Sequence, residues 1–386
     1  MNSGEVQTEP TGSHYLRLFP TGTLLNPLPP SVLGEIRGRE PISSHAAAKV
    51  PARANTLVAR LDRVISPAKP GVFSVGSLNF ALSCYTEAQV DLREDGQVVI
   101  ADAVDPRMEI VRHAGLVMKD TLGTDKGFTI SATNLHDIIH GGLGSSSALF
   151  VATAAAINHA YGDIIPRVSF LKLLAQNYGE ESGQRDMLVG IPCIGGVAAV
   201  SLYGGGLVAL LNEGEVVGRI PLPEDSSVCV LRREVPPITA LSEADAHLGE
   251  GALLQFAETQ TEWGQTNGRI LEESVYPKQI LPAMAAGHLQ TIADIIFDFT
   301  LGGFGNMAEV YALKWQRELP DFASDIGDLR ELRGNKDIIT AFVSSIGPSL
   351  AIVTYNPRIV EDYAERHRFD YLSVLKPDNT GITFTT

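Results

Sequence analysis

Cysteine is scarce: Cys84, Cys193 and Cys229 are the only three in 386 residues, and no two stand at CxxC spacing. A disulfide framework and a cysteine zinc site are therefore excluded, and the chain reads as one for the reducing cytoplasm. Positive charge is also short, with 30 Lys and Arg against 45 Asp and Glu and a net charge of −15. Nucleic acid and anionic membranes are held by clustered cations, so neither is expected as a partner. Long apolar runs are missing. The longest, "GGVAAVSLYGGGLVALL", is broken by Gly and Tyr, falls short of the roughly 20 residues a membrane helix needs, and reads as paired strands. The opening "MNSGEVQTEPTGSHY" is polar and carries no secretory signal. No Gly-Lys-Ser or Gly-Lys-Thr occurs, which excludes a Walker A loop.

What remains is an ordinary globular composition, 44% hydrophobic and 19% charged, in a chain long enough for two cores. Residues 1–55 hold "NPLPPS" and little periodicity and are expected to form an extended arm. Residues 56–222 are rich in strand patterns and are expected to form a first lobe. In it, "LREDGQVVI" reads as a hairpin with Asp-Gly at its turn, and helices are expected at 147–161 and about 168–178. Residues 223–386 are expected to form a second lobe. Apolar residues there recur at helical spacing, as in "LPAMAAGHLQTIADIIFDF". "DIITAFVSSIGPSLAIVTYN" reads as helix, loop and strand, with a helix near 357–368. Strands and helices cluster without regular βαβ alternation, so the fold expected is α+β in two lobes.

One stretch, "HGGLGSSSALFVATAAAINHAYG" from His140 to Gly162, sets glycines and three serines against the start of an apolar helix. A serine-capped helix after a turn accounts for part of this. An anion cradle accounts for all of it. Glycines let backbone approach a phosphate, the first helical amides point at it, and hydroxyls add donors. Serine oxygen is also a hard ligand suited to Mg²⁺.

The motif "GGLGSSSA" resembles the second signature of the GHMP superfamily, which includes galactokinase, homoserine kinase and mevalonate kinase. Three companions stand in the family's order: "SPAK" at 66–69 is similar to its first signature, "SSIGPSLAIVT" at 344–354 to its third, and "SGQRDMLVGIPCIGG" at 182–196 to the segment bearing a catalytic aspartate. The resemblance implies a two-lobe GHMP-kinase-like fold with its active site in the cleft between lobes. It implies phosphate binding by Gly142, Leu143, Gly144, Ser145, Ser146, Ser147, Ser345 and Gly347, and catalytic roles for Asp186 and Lys69. Arg185, His140 and Ser344 are the implied substrate contacts, and Ser146 with Glu181 the implied Mg²⁺ ligands.

Within the superfamily, "SSIGP" and the helical segment 280–316 are similar to β-ribofuranosylaminobenzene 5′-phosphate synthase, with Ile346 where that branch has an aromatic residue. The activity so implied joins ribose 5-phosphate from phosphoribosyl pyrophosphate to an aromatic or heteroaromatic acid, releasing pyrophosphate and carbon dioxide. The alternative is a kinase that phosphorylates a hydroxyl with ATP. A third reading is a GHMP-like binding protein with no activity. The partners implied are small molecules and a second copy of the chain, because dimers are common in the family.

Overall fold

The computed structural model describes residues 17–24, 28–56, 75–101, 107–135, 142–182, 184–190, 196–205, 207–211, 215–234, 270–301, 319–344 and 348–385. The first elements are strand β1 (Arg17–Pro20), helix α1 (Pro30–Ile36) and the paired strands β2 (His45–Thr56) and β3 (Val75–Arg93). Strand β2 lies within the expected arm, yet it runs the length of β3 in antiparallel register, from His45 opposite Asp91 to Thr56 opposite Leu78. Its apolar residues are mostly alanines (Ala46, Ala48, Ala52 and Ala54, all buried), and alanine is a weak strand former that leaves little trace in a sequence. Pro51 donates no ladder bond, and the register slips between it and Ala52.

After β4 (Val98–Ile100) comes α2 (Met108–Leu122), whose Ile110, Val111, Ala114, Val117 and Met118 bury one helical face. Strand β5 (Gly127–Asn134) then inserts between β3 and β4, antiparallel to the first and parallel to the second. The hairpin expected at "LREDGQVVI" is therefore corrected. The chain does turn at Gly96, at φ +69°, but β4 passes to the far side of β5. A Cβ at Gly127 would overlap the backbone of Gln97, so the crossing depends on that glycine.

Helix α3 (Ser145–Ala160) lies on β2 and β3, and α4 (Arg167–Asn177) follows. Its alanines Ala148, Ala152, Ala155 and Ala156 pack with Ala46, Ala48, Val50 and Val90 in the first of two cores. Small side chains on both surfaces let helix and sheet approach closely. Strands β6 (Gly179–Glu181) and β7 (Met187–Gly190) form a small sheet with β1. Helix α5 (Gly196–Tyr203) and strands β8 (Leu207–Leu211) and β9 (Val216–Ile220) come next. The paired strands expected over 195–211 are thus half helix. "GVAAVSLY" has no polar face, so its periodicity carries no signal.

The second core rests on the four-stranded sheet β11-β12-β10-β13, made of β10 (Ser227–Arg232), β11 (Ile338–Val343), β12 (Leu350–Thr354) and β13 (Tyr371–Leu375). Helices over it include α6 (Leu281–Ala285), α7 (Leu289–Thr300), α8 (Phe322–Asp328) and α9 (Pro357–Arg366). Residues 338–343, expected as helix, are strand β11, buried at every position. A fully buried strand loses the alternation that would announce it. The last strand, β14 (Thr383–Thr385), returns to pair with β2 in the first sheet.

The two cores meet at β2 and β3. Phe80 of β3 stacks on Phe342 of β11 with ring centroids 4.9 Å apart, and Ala52, Ala54, Leu78 and Leu82 join the second core while Val50, Ala81 and Val90 join the first. The segment entering α3 crosses this seam: Leu143 belongs to the second core and Ala148 to the first.

Candidate active site at the start of helix α3

Gly142 and Gly144 carry φ of +69° and +71°, the left-handed region that side chains seldom adopt. The two turns bring the chain to the N-terminus of α3, whose cap at Gly144 has no side-chain hydrogen bond. The first helical amides there have no partner within the helix, and the helix dipole adds partial positive charge. Ser145 and Ser147 are nearly buried, while Gly142, Gly144 and Ser146 are half-buried. The loop is pinned at two points. The Arg53 amide of β2 donates to the Leu143 carbonyl at 3.1 Å, and the buried Ser344 hydroxyl, just after β11, donates to the Gly142 carbonyl at 2.8 Å. The loop and Ser344, about two hundred residues apart in the chain, thus come together.

Arg107 is the strongest residue that sequence reasoning missed. It is fully buried at the start of α2, and its guanidinium donates to Ser145 Oγ at 2.7 Å and to Ser146 Oγ at 3.4 Å. An arginine can only donate, so each serine oxygen accepts and keeps its own proton for another acceptor. The Arg107 guanidinium thus sets a buried positive group beside the N-terminus of α3, in a chain of net charge −15. Its signal lay in an arginine placed before the amphipathic run "MEIVRHAGLVMKDTL", where a helix dipole disfavours a cation.

Glu181 of β6 is buried, and its Oε1 accepts the Ile110 amide of α2 at 3.1 Å. It therefore sits at the N-terminus of α2, as Arg107 does. Asp186 occupies the turn between β6 and β7 at φ +60°, with its carboxylate exposed. Arg112 of α2 donates to its Oδ1, and Arg185 Nε lies 3.7 Å from its Oδ2. Arg185 is 91% exposed, the position of a group that meets solvent or substrate rather than one that holds the fold. Lys69, His140, Ser345 and Gly347 lie outside the described residues, as do "SPAK" and the expected helices beyond Leu301 up to Leu319.

Two other chemistries lack support among the described residues. Cys84 and Cys229 are buried, and burial pushes both thiols up to about 12, so neither offers a thiolate nucleophile. No group of three or more His, Cys, Asp and Glu is placed to hold a metal ion, and no helix is long and apolar enough to cross a membrane.

The α+β fold and part of the sequence are similar to those of known proteins. Residues 109–205 match the family described as GHMP kinases N terminal domain, a span that runs from α2 to the end of α5. Homoserine kinase from Cytophaga hutchinsonii ATCC 33406 has a similar structure, with 18% identity and a TM-score of 0.57 over 90% of this chain and 99% of that one. Mevalonate diphosphate decarboxylase from Enterococcus faecalis, solved for its ATP binding mechanism, gives 14% identity and 0.58 over 88% and 98%. A structure described as MDDEF in complex with MVAPP, AMPPCP and magnesium gives 13% and 0.57 over the same shares. No curated protein matches the chain in sequence. The chain has the α+β GHMP fold, and its residues 109–205 are similar to the GHMP kinases N terminal domain.

Proposed function

We propose that the chain is a transferase that grips a diphosphate at the start of α3 and transfers ribose 5-phosphate from phosphoribosyl pyrophosphate to an aromatic or heteroaromatic acid. One observation carries the grip: a helix N-terminus with no side-chain cap, following two left-handed glycines, with the Arg107 guanidinium bonded to its serine hydroxyls. The choice of donor is supported by Ser344. It opens the "SSIGP" element that resembles the C-riboside-forming branch, and its hydroxyl touches the loop itself.

In this reading the C1–O bond of the donor breaks and its electron pair leaves with pyrophosphate. The amides and hydroxyls of Ser145–Ser147 and the nearby charge of Arg107 stabilise the negative charge that develops there. The Asp186 carboxylate faces the oxocarbenium-like ribosyl centre and stabilises it. Arg185 holds the acceptor carboxylate or the 5′-phosphate, and Lys69 supplies a further cation. The ring carbon bearing the acceptor's carboxylate attacks C1. That carboxylate then leaves as carbon dioxide, returning its electron pair to the ring. Ser146 and Glu181 are hard oxygen donors of the kind Mg²⁺ takes, and they would hold it. When bound, Mg²⁺ supplies charge neutralisation of the leaving diphosphate.

A kinase reading shares the cradle and is favoured by one specific observation, the ATP and AMPPCP bound by neighbours of this fold. Titration calorimetry in the presence of Mg²⁺ separates the two. Phosphoribosyl pyrophosphate is expected to bind at least about tenfold tighter than ATP, about 1.4 kcal/mol. Tighter binding of ATP, with phosphate transfer to a hydroxyl acceptor, would overturn the ribosyl assignment and leave the cradle standing.

A further inference from the structure

Asp186 is exposed and sits in a left-handed backbone conformation, so a carboxylate meant to act there has to be held by something else. Two contacts reach it, one from the N-terminal segment and one from α2, and two more tie that segment to α2. Strand β1 pairs with β7 so that Pro20 faces Met187, the residue after Asp186. The Thr21 amide then donates to the Asp186 carbonyl at 2.9 Å, and the Thr21 hydroxyl donates to Glu109 Oε2 at 2.9 Å. The Gly22 amide donates to His113 Nδ1 at 2.9 Å. Arg112, one helical step from Glu109 and 3.9 Å from its carboxylate, donates to Asp186 Oδ1. Glu109, Arg112 and His113 stand at adjacent positions of one helical surface, so α2 holds the turn 20–23 and the Asp186 side chain together.

We infer that Arg112, acting with the turn 20–23, is the positioning residue that sets the orientation of the Asp186 carboxylate for transfer. The inference rests on Asp186 being the acting carboxylate of the proposed reaction. A surface ion pair in a purely structural role contributes little to stability, so an effect on turnover without an effect on folding is the sign to look for.

The test compares Arg112→Gln and Arg112→Lys with the full-length wild type. Arg112→Gln is expected to lower kcat on the order of tenfold to a hundredfold, with KM for the donor changed less than about twofold. Arg112→Lys is expected to restore most of the rate, because the single N–H contact and the charge survive. Equal kcat in Arg112→Gln and a turning-over wild type would overturn the inference. If the wild type turns over neither donor, the reaction assigned to Asp186 fails instead, and amide hydrogen exchange judges the clamp alone. Exchange at Thr21 and Gly22 is expected to quicken about tenfold or more in Arg112→Gln while α3 stays protected. Unchanged exchange would overturn the clamp.

Discussion

The loop at Gly142–Ser147 and the turn at Asp186 serve one proposed site and are held in opposite ways. The loop is built into the protein interior: Leu143 is 1% exposed, and the Ser344 that pins it is completely buried. The turn stands at the surface, with 55% of the Asp186 side chain exposed, and is held by charged groups and one short strand. Polyphosphate binding asks for amides fixed to a fraction of an ångström, which burial supplies. Acting on a substrate that enters and leaves asks for an accessible carboxylate, which burial would deny. Substitutions in the two regions should therefore separate binding and stability from rate.

The largest effect is expected at Gly144. Its φ of +71° excludes a β-branched side chain, so Gly144→Val should weaken donor binding by on the order of a thousandfold while circular dichroism keeps its native form. Retained affinity would break the contrast at its firmest point. Next is the seam that carries the loop. Phe80→Ala should destabilise the protein by about 3–5 kcal/mol, measured by urea unfolding, and should lower donor affinity only as far as unfolding does. Asp186→Asn should reduce kcat on the order of a hundredfold or more with KM nearly unchanged, and little change in stability. A parallel fall in stability would make the turn structural.

His113 links the two regions more subtly. It is buried between Phe19 and Phe150, accepts the Gly22 amide at Nδ1 and faces the Asn177 carbonyl with Nε2 at 2.8 Å, which fixes the neutral ring with its proton on Nε2. Burial lowers its pKa from 6.5 to about 4. The unfolded chain thus binds a proton between those values that the folded chain refuses. Stability contributed by the neutral ring is complete above about 6.5 and falls as pH drops toward 4, by roughly 3 kcal/mol. His113→Gln should flatten that slope in urea unfolding at pH 4.5 and 7. A slope that survives the substitution belongs to another group.

The sequence made the loop legible because its requirement is local: glycine where φ is positive, small donors where a helix begins. The α+β class was legible for the same reason, element by element. The supports of the site were not. Arg112 reaches Asp186 and Arg107 reaches Ser145 across gaps of 74 and 38 residues, and such pairings leave no mark on either segment alone. Topology failed where burial erased pattern. Strand β11 is buried at every position, helix α5 has no polar face, and β2 is buried on both faces by small alanines. The arm expected over 1–55 missed that Thr21 and β1 complete the turn at Asp186.

The central claim is that the first turn of α3 receives a diphosphate. Its most direct measurement is the amide NMR signals of Ser145, Ser146 and Ser147 as inorganic pyrophosphate and Mg²⁺ are added. All three are expected to shift together and to saturate, with Gly144→Val abolishing the response. Pyrophosphate that binds while these three amides stay fixed would contradict the account.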